Sequence, residues 1–279
     1  MFFFNKKHTI AASGILQGAA DHHSHILPGV DDGVETIAEA LHILATYESL
    51  GIKELWLTPH IMEDIPNSPA KLQARFEELK AAYTGNITLH LAAEYMIDNH
   101  LRKLLQEIKN SPSFERGATR GSVACDDGCF STPKECPTGA AKGEGVETNS
   151  LLPIGTSGKH ILVEISYYNA PMRMNDTLQQ IKSLGYFPLL AHPERYMYLS
   201  NADYTKLHSQ GVKFQLNLAS LAGGYGKAVK KKAEWLLSNG LYSVAGSDLH
   251  CEEAIEYITN CKLSKQTIEQ VNSLLTNRL

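Results

Sequence analysis

Two patterns of hydrophobic residues alternate along most of this 279-residue chain: apolar residues at helical spacing, and short continuous apolar runs. The segment ETIAEALHILATYESLG places Ile37, Leu41 and Leu44 at helical spacing, and Gly51 ends the pattern as glycine often ends a helix. The run IKELWLTPH that follows is short and apolar, which predicts a buried strand. Helical patterns and apolar runs then alternate as far as the segment LYSVAGSDLH at 241–250.

The order of these segments predicts an α/β fold. The second half of the chain reads as strand, helix, strand, helix, strand, helix and strand, and the strands are rich in Ile, Leu and Val. Strands buried on both faces of a parallel sheet have this composition. Seven strand–helix units in succession favour a closed (β/α) barrel, and an open doubly wound sheet is the alternative.

Two parts of the chain stand apart from this alternation. Residues 111–149 hold six glycines and three prolines but few large apolar residues, so they predict a disordered surface insertion. The alternative is a small metal knuckle on Cys125, Cys129 and Cys136, although their spacing lacks the paired motif of zinc sites. Residues 252–279 read as C-terminal helices packed outside a single domain that spans all 279 residues.

Composition and charge exclude several classes of protein. The chain is 43% hydrophobic and 20% charged, which is typical of a globular protein. A net charge of −4 gives no sign of nucleic-acid binding, because such proteins carry a basic excess. No apolar stretch approaches the roughly 20 residues of a membrane span. The N-terminal run lacks the strong apolar core of a signal peptide, and the cysteine count of five is odd, so we expect a cytoplasmic protein without a disulfide framework.

Side chains that bind metals are crowded into DHHSHILPGVDDG at 21–33. His23 and His25 lie two residues apart on an extended segment, so both imidazoles face the same side. Further histidines and carboxylates follow the later apolar runs, at the carboxyl ends that open onto one face of a barrel. The candidate metal ligands are therefore His23, His25, Asp32, His60, Glu94, Glu164, His192, Asp248 and His250.

These nine candidates exceed the three or four ligands that one ion takes, so we predict two or three ions. A mixed shell of histidine and carboxylate suits Mn, Fe or Zn, and closely spaced ions can activate water and hold phosphoryl oxygens. Arg195, in the run HPERY, can hold a phosphate in bidentate fashion, and the alternative is a surface pair with Glu194. The remaining histidines are expected to be structural or solvated.

The runs DHHSHILPGVDDG, TPH, AAEY, VEIS, AHPERY and GSDLH resemble motifs of the bacterial PHP-domain (polymerase and histidinol phosphatase) tyrosine-protein phosphatases of the capsule and exopolysaccharide type. The resemblance covers roughly residues 19–110 and 150–250. It implies a distorted (β/α)7 TIM-like barrel and a centre of three metal ions, usually manganese, where a metal-bridging hydroxide attacks phosphorus. It also implies a phosphotyrosine protein substrate, often the tail of a bacterial tyrosine kinase that controls polysaccharide export.

The same resemblance implies which candidate ligands bind each of the three ions. It also implies that Arg195 binds the phosphate of the substrate. The first ion would take His23, His25 and Asp248 with Glu94 bridging, the second Glu94, Glu164 and His192, and the third Asp32, His60 and His250. Two features depart from the family pattern. An arginine usually follows the final Asp-x-His, but LHCEEAIEYITN has none, and the insertion at 111–149 is additional.

Three functions are compatible with these features, and a metal-dependent phosphoric monoester hydrolase acting on phosphotyrosine is the first. A small-molecule phosphoesterase, such as a histidinol-phosphate phosphatase, is the alternative enzyme on the same metal platform. A small metabolite predicts a deep site, whereas a protein substrate predicts an open, shallow one. The third is a non-catalytic metal-binding regulator, which intact ligands without turnover would support.

Overall fold

The fold is described here from a computed structural model, which covers residues 7–111 and 151–279. The predicted insertion lies outside the described residues from residue 112 onward, and so do Cys125, Cys129 and Cys136. The strands are β1 His8–Thr9, β2 Ala20–Ser24, β3 Glu54–Leu57, β4 His60–Ile61, β5 Thr88–Leu91, β6 Glu94–Met96, β7 His160–Glu164, β8 Phe187–Ala191, β9 Lys213–Asn217, β10 Tyr242–Gly246 and β11 Lys262–Leu263. The helices are α1 Ile10–Ser13, α2 Ile37–Leu50, α3 Pro69–Ala82, α4 Asn99–Lys109, α5 Met174–Ser183, α6 Asn201–Ser209, α7 Leu218–Ala222, α8 Lys227–Ser238, α9 Glu253–Thr259 and α10 Lys265–Thr276, with a 3₁₀ turn at Pro193–Arg195.

Parallel strands form the centre of the fold. Six of them are hydrogen-bonded in the order β10-β9-β8-β7-β6-β4, and three more in the order β2-β3-β5. β1 and β11 form a separate antiparallel pair. The strands predicted at IKELWLTPH and NITLHLAAE are each interrupted, so β3 and β4 belong to different sheets, as do β5 and β6.

The prediction of a closed (β/α)7 barrel is not confirmed, because the strand pairing runs in two parallel sheets rather than in one ring. β2 and β10 are joined by backbone bonds at the loop that follows β10 instead of by a continuous ladder. The amide of Asp248 donates to the carbonyl of His23 at 2.8 Å, and the amide of His25 donates to that of Leu249 at 2.8 Å. The structure therefore shows a mixed α/β fold with parallel sheets.

Local sequence accounts for α2. The Thr36 hydroxyl accepts a hydrogen bond from the Glu39 amide at 3.2 Å, and the Glu39 carboxylate accepts one from the Thr36 amide at 2.9 Å. This reciprocal capping box satisfies two amides of the first turn. Gly51 ends the helix in the left-handed conformation, with φ 91°, and Ile43 and Leu44 are buried in the core. The predicted helix, with its end at Gly51, is thus confirmed.

Apolar side chains cover both faces of the sheets. In β7, Ile161 and Val163 join the large core cluster that includes the helices, whereas Leu162 joins a second cluster on the opposite face. The second cluster consists of Trp56, Ala92, Ile154, Leu162, Leu189, Ala191, Val244 and Leu279. This double burial explains the continuous apolar runs of the strands. Within the described ranges, 7–111 and 151–279, no helix is long and apolar enough to cross a membrane.

His160 begins β7, at the end of the strand opposite Glu164. Its side chain is buried, and its Nε2 atom lacks a hydrogen-bond partner. Burial, assisted by the nearby charge of Lys213, lowers the pKa of His160 from 6.5 to about 4. Between pH 6.5 and pH 4, His160 is therefore mostly protonated in the unfolded chain but mostly neutral in the folded protein. Its contribution to the free energy of unfolding is fully present above pH 6.5 and is lost as the pH falls toward 4.

We expect His160→Leu to remove part of this acid sensitivity. Between pH 7 and pH 5, the free energy of unfolding should fall by about 1 to 2 kcal/mol less in the variant than in the unmodified protein. Urea unfolding at both pH values, with chelator present throughout, measures the difference. His208→Leu, at an exposed position of α6, is the matched control for the exchange of histidine for leucine. Equal acid sensitivity in the His160 variant would contradict the assignment.

Candidate metal centre

The nine predicted ligands converge at the carboxyl ends of the parallel strands. His23 lies in β2 and His25 follows it, while His60 and Glu94 begin the second segments of the two interrupted strands. Glu164 ends β7. His192 directly follows β8, and Asp248 and His250 follow β10 by two and four residues. Asp32 reaches the same place from the loop between β2 and α2.

Glu94 lies at the centre of the group and is fully buried. Its Oε2 atom is 3.1 Å from His23 Nε2, 3.3 Å from His25 Nε2 and 3.3 Å from His60 Nδ1. Its Oε1 atom is 3.1 Å from His192 Nε2. One carboxylate thus faces four imidazoles, which is the arrangement of a bridging ligand.

The ligand atoms fall into three overlapping groups in which all atoms lie within 4.8 Å of one another. The groups are His25, Asp32, His60 and His250; His23, His25, Glu94 and Asp248; and His60, Glu94 and Glu164. His25 and His60 each belong to two groups, a sharing that the predicted distribution does not include. His192 Nε2 is 4.0 Å from Glu164 Oε2, so this histidine also faces both glutamates of the predicted second group.

Two features show that these side chains suit a metal. His60 Nδ1 is buried without a hydrogen-bond partner, although Glu94 and Glu164 oxygens lie 3.3 and 3.2 Å away. His23 Nε2 and His25 Nε2 are only 3.0 Å apart, so two ring nitrogens point at each other. Without a metal, a proton must lie between two such nitrogen or oxygen atoms. A metal cation placed between them accepts the lone pairs of both atoms instead. The donor set of histidine and carboxylate matches divalent transition metals.

Outer partners orient three of the imidazoles. His23 Nδ1 is 3.0 Å from Gln215 Oε1, His25 Nδ1 is 2.8 Å from Asp31 Oδ2, and His192 Nδ1 is 3.2 Å from the Tyr196 hydroxyl. A carboxylate or amide oxygen at Nδ1 keeps the proton there, which leaves the Nε2 lone pair free for a metal. The sequence reading did not single out Gln215, Asp31 or Tyr196.

We expect Asp31→Asn to weaken metal binding by about 10- to 100-fold, the usual effect of losing such a partner. The amide of asparagine can donate to His25 Nδ1, which would move the ring proton to Nε2, the atom that faces the centre. Titration of chelator-stripped protein with Mn²⁺ measures the affinity. Asp176→Asn, on the exposed surface of α5, should bind as the unmodified protein does. An unchanged affinity in Asp31→Asn would show that His25 is oriented by other means.

The backbone is unusual at two candidate ligands. His192 has φ 33° and Asp248 has φ 55°, in the left-handed region that side chains other than glycine rarely adopt. Such conformations persist where the surrounding structure holds them, and they are common at functional sites. Residue 33 must be a glycine for a steric reason, because a Cβ atom there would overlap the backbone oxygen of His25.

Charges in the centre influence one another strongly. Burial alone would lower the pKa of His23, but the carboxylates of Glu94 and Asp248 outweigh this effect and raise it to about 9. The hydrogen bond from His250 lowers the pKa of Asp32 to about 2. Burial would raise the pKa of Glu94, but the surrounding histidines, His23 first, hold it well below its ordinary value. Asp32 and Glu94 are therefore ionised at neutral pH and attract positive charge.

Arg195 lies beside the centre, with 20% of its side chain exposed. Its Nη1 atom donates to Asp248 Oδ2 at 3.1 Å, and its guanidinium carbon is 4.1 Å from the ring centres of both Tyr167 and Tyr225. The alternative of a surface pair with Glu194 is wrong. Glu194 is buried, where it accepts hydrogen bonds from the amide of residue 217 at 3.0 Å and the hydroxyl of residue 242 at 2.8 Å.

An open cleft of about 480 Å³ leads to these groups. It is lined by Asp32, His60, Met62, Glu94, Met96, Glu164, Tyr167, His192, Arg195, Tyr225, Asp248, His250, Cys251 and Ala254. The Asp32 side chain is 64% exposed, so at least one ligand is reached directly from solvent. Tyr168 and Met172, on the loop after β7, are 92% and 85% exposed.

The fold and the site together define an α/β protein with a candidate multinuclear metal centre at the carboxyl ends of its strands. The chain belongs to the capsular polysaccharide synthesis family CpsB/CapC, whose profile matches residues 19–113 and 141–271. The family membership predicted from the sequence motifs is thereby confirmed.

Named relatives of this chain are phosphatases. It is 24% identical over 234 residues to the tyrosine-protein phosphatase YwqE of Bacillus subtilis, an alignment that covers 82% of this chain and 76% of that one. It is 25% identical over 244 residues to the tyrosine-protein phosphatase CpsB of Streptococcus pneumoniae, which covers 82% of both chains.

A solved structure shares the fold of this chain. It comes from crystal structures of YwqE from Bacillus subtilis and CpsB from Streptococcus pneumoniae, described as unique metal-dependent tyrosine phosphatases. The superposition has a TM-score of 0.64 and 19% identity, and it covers 93% of this chain and 97% of the solved one.

Proposed function

We propose that this protein is a metal-dependent protein-tyrosine phosphatase that hydrolyses phosphotyrosine on a protein, within a distorted seven-stranded barrel. The observation that carries the proposal is the convergence of nine histidine and carboxylate side chains, with Glu94 at their centre and Arg195 beside them. The naming of its relatives as tyrosine-protein phosphatases supports the same class of reaction.

The three ligand groups would hold two or three divalent ions, with Mn²⁺ preferred and Fe or Zn as alternatives. His25, Asp32, His60 and His250 would form the outermost site, and the other two groups would share Glu94. When bound, such ions lower the pKa of water toward neutrality and neutralise phosphate charge.

The chain itself would bind and orient the phosphate ester. Arg195 would present its guanidinium donors to phosphate oxygens, as planar guanidinium groups do in bidentate pairs. Asn217 and Arg195 both donate to Asp248 Oδ2, at 2.8 and 3.1 Å, which directs the Oδ1 atom toward His23 at 3.4 Å. A phenolate is a stable leaving group, so the reaction places little demand on a general acid.

The open cleft favours a protein substrate over a small metabolite. A phosphotyrosine side chain can reach an exposed ligand such as Asp32 while the rest of its protein stays outside. Membership in a capsular polysaccharide synthesis family supports the further proposal that the substrate is the tyrosine-rich tail of a bacterial kinase that controls capsule or exopolysaccharide production.

The proposal is tested by phosphate release from a phosphotyrosine peptide. Chelator-stripped protein should be inactive and should recover activity with Mn²⁺, while histidinol phosphate, run in parallel, should be a poor substrate. Turnover of histidinol phosphate alone would indicate a metabolite phosphatase instead. Bound metal without turnover of either compound would indicate a non-catalytic metal-binding protein.

A further inference from the structure

We propose that Tyr167 and Tyr225 are positioning residues that fix the orientation of the Arg195 guanidinium toward a substrate phosphate. These two side chains are called the tyrosine pair below. The inference rests on the proposed function, in which Arg195 binds the phosphate, and it adds the residues that determine how well Arg195 does so.

Both rings of the tyrosine pair contact the guanidinium. The guanidinium carbon lies 4.1 Å from the ring centre of Tyr167 and 4.1 Å from that of Tyr225. Both distances are well inside the roughly 6 Å range of an attractive cation–π contact. The two rings come from different loops, because Tyr167 follows β7 and Tyr225 lies between α7 and α8. Residues from two separate loops therefore contact the same arginine side chain.

These two ring contacts limit the positions that the guanidinium can take while it donates hydrogen bonds. Arg195 uses Nη1 to donate to Asp248 Oδ2 at 3.1 Å, and a guanidinium has five N–H donors in one plane. Because both rings lie against the guanidinium, they restrict the directions from which an anion can approach its remaining donors. Among the described residues that line the cleft, Arg195 is the only lysine or arginine. An anion that enters the cleft thus meets one fixed cation.

Each tyrosine is also tied to the metal centre. The Tyr167 hydroxyl donates to Glu164 Oε2 at 3.4 Å, and its ring lies 5.9 Å from that of His192. The Tyr225 hydroxyl accepts from Asn217 Nδ2 at 3.4 Å. These bonds are long, so the rings rather than the hydroxyls carry the proposed role. Their placement keeps the guanidinium in a constant position relative to the candidate ligands.

Loss of one ring should free the guanidinium and weaken phosphate binding. We expect Tyr225→Leu to raise the dissociation constant of inorganic phosphate about tenfold, which is equivalent to roughly 1.4 kcal/mol. Tyr225→Phe keeps the ring and should change the constant less than about twofold. Tyr167→Leu should resemble Tyr225→Leu. Tyr168→Leu is the matched control on the same loop, because Tyr168 is 92% exposed, and it should bind phosphate normally.

The experiment is calorimetric titration of the manganese-loaded full chain with inorganic phosphate, with the bound manganese of every variant measured first. The decisive comparison is made in an Arg195→Gln background. If the tyrosine pair acts through Arg195, Tyr225→Leu has no further effect there. A full additional tenfold loss in that background would overturn the proposal, as would a Tyr225→Phe variant as weak as Tyr225→Leu.

Activity provides a separate readout. With a phosphotyrosine peptide as substrate, Tyr225→Leu should raise KM more than it lowers kcat, and Tyr168→Leu should change neither. An unmodified protein that binds phosphate but releases none from the peptide would contradict the proposed function and leave the tyrosine pair supported by the titration. An equal dissociation constant for phosphate in Tyr225→Leu and the unmodified protein would contradict the tyrosine pair alone.

Discussion

Glu94→Gln is expected to reduce phosphate release from a phosphotyrosine peptide by more than about 100-fold, because even outer partners of metal ligands cost 10- to 100-fold when lost. Glu94 oxygens lie 3.1 to 3.3 Å from four imidazole nitrogens, and Glu94 belongs to two of the three ligand groups. Glutamine keeps the size of the side chain but presents an uncharged amide. Metal content should fall together with activity.

The measurements are manganese content after dialysis and initial rates at saturating Mn²⁺. Glu54→Gln is the matched control, since Glu54 begins β3 at the end of the sheet away from the centre and pairs with Arg278 at 2.9 Å. It should keep both metal and rate. A Glu94→Gln protein with full manganese content and normal rate would contradict the central position given to this carboxylate.

Arg195→Gln is expected to lower kcat/KM for the peptide by about 10²- to 10³-fold, the usual effect of removing a preorganised donor to a developing charge. The cleft holds no other lysine or arginine among its described lining residues, so no neighbour can substitute. Arg195→Lys should be intermediate, because an ammonium keeps the charge but not the planar bidentate geometry.

Metal content separates this effect from damage to the centre. Asn217 Nδ2 also donates to Asp248 Oδ2, at 2.8 Å, so the carboxylate should keep its orientation and Arg195→Gln should retain its manganese. Arg173→Gln, on the surface before α5 with 73% of its side chain exposed, is the control and should behave normally. Loss of manganese from Arg195→Gln, with a rate restored by excess metal, would assign Arg195 a structural role instead.

The site was more predictable from the sequence than the sheet was. Each proposed ligand except Asp32 lies in or directly beyond an apolar run, and parallel strands bring such positions together whether the sheet closes or not. Asp31 was overlooked because it stands next to Asp32 in an acidic pair, and sequence alone does not say which of two adjacent carboxylates faces a metal. Gln215 is a single amide side chain within an apolar strand. Its role could not be predicted, because it depends on contact with His23, which is 192 residues away in the sequence.

The sheet division depends on details that hydrophobic patterns do not contain. The runs IKELWLTPH and NITLHLAAE each read as one strand, but the pairing breaks within both. Tyr167 and Tyr225 illustrate the same limit in the site. Each lies on a loop, where hydrophobic periodicity gives no information, and only the folded chain shows that both meet Arg195.

The interruptions within IKELWLTPH and NITLHLAAE have equal length, and this equality restricts insertions and deletions in both segments. Leu57 pairs with Leu91 before the breaks and His60 pairs with Glu94 after them, so two residues separate the pairs on each strand. Because side chains alternate along a strand, deleting one residue from one break would turn either His60 or Glu94 to the wrong face. Single-residue insertions and deletions should therefore be excluded here during evolution, unless both strands change length together.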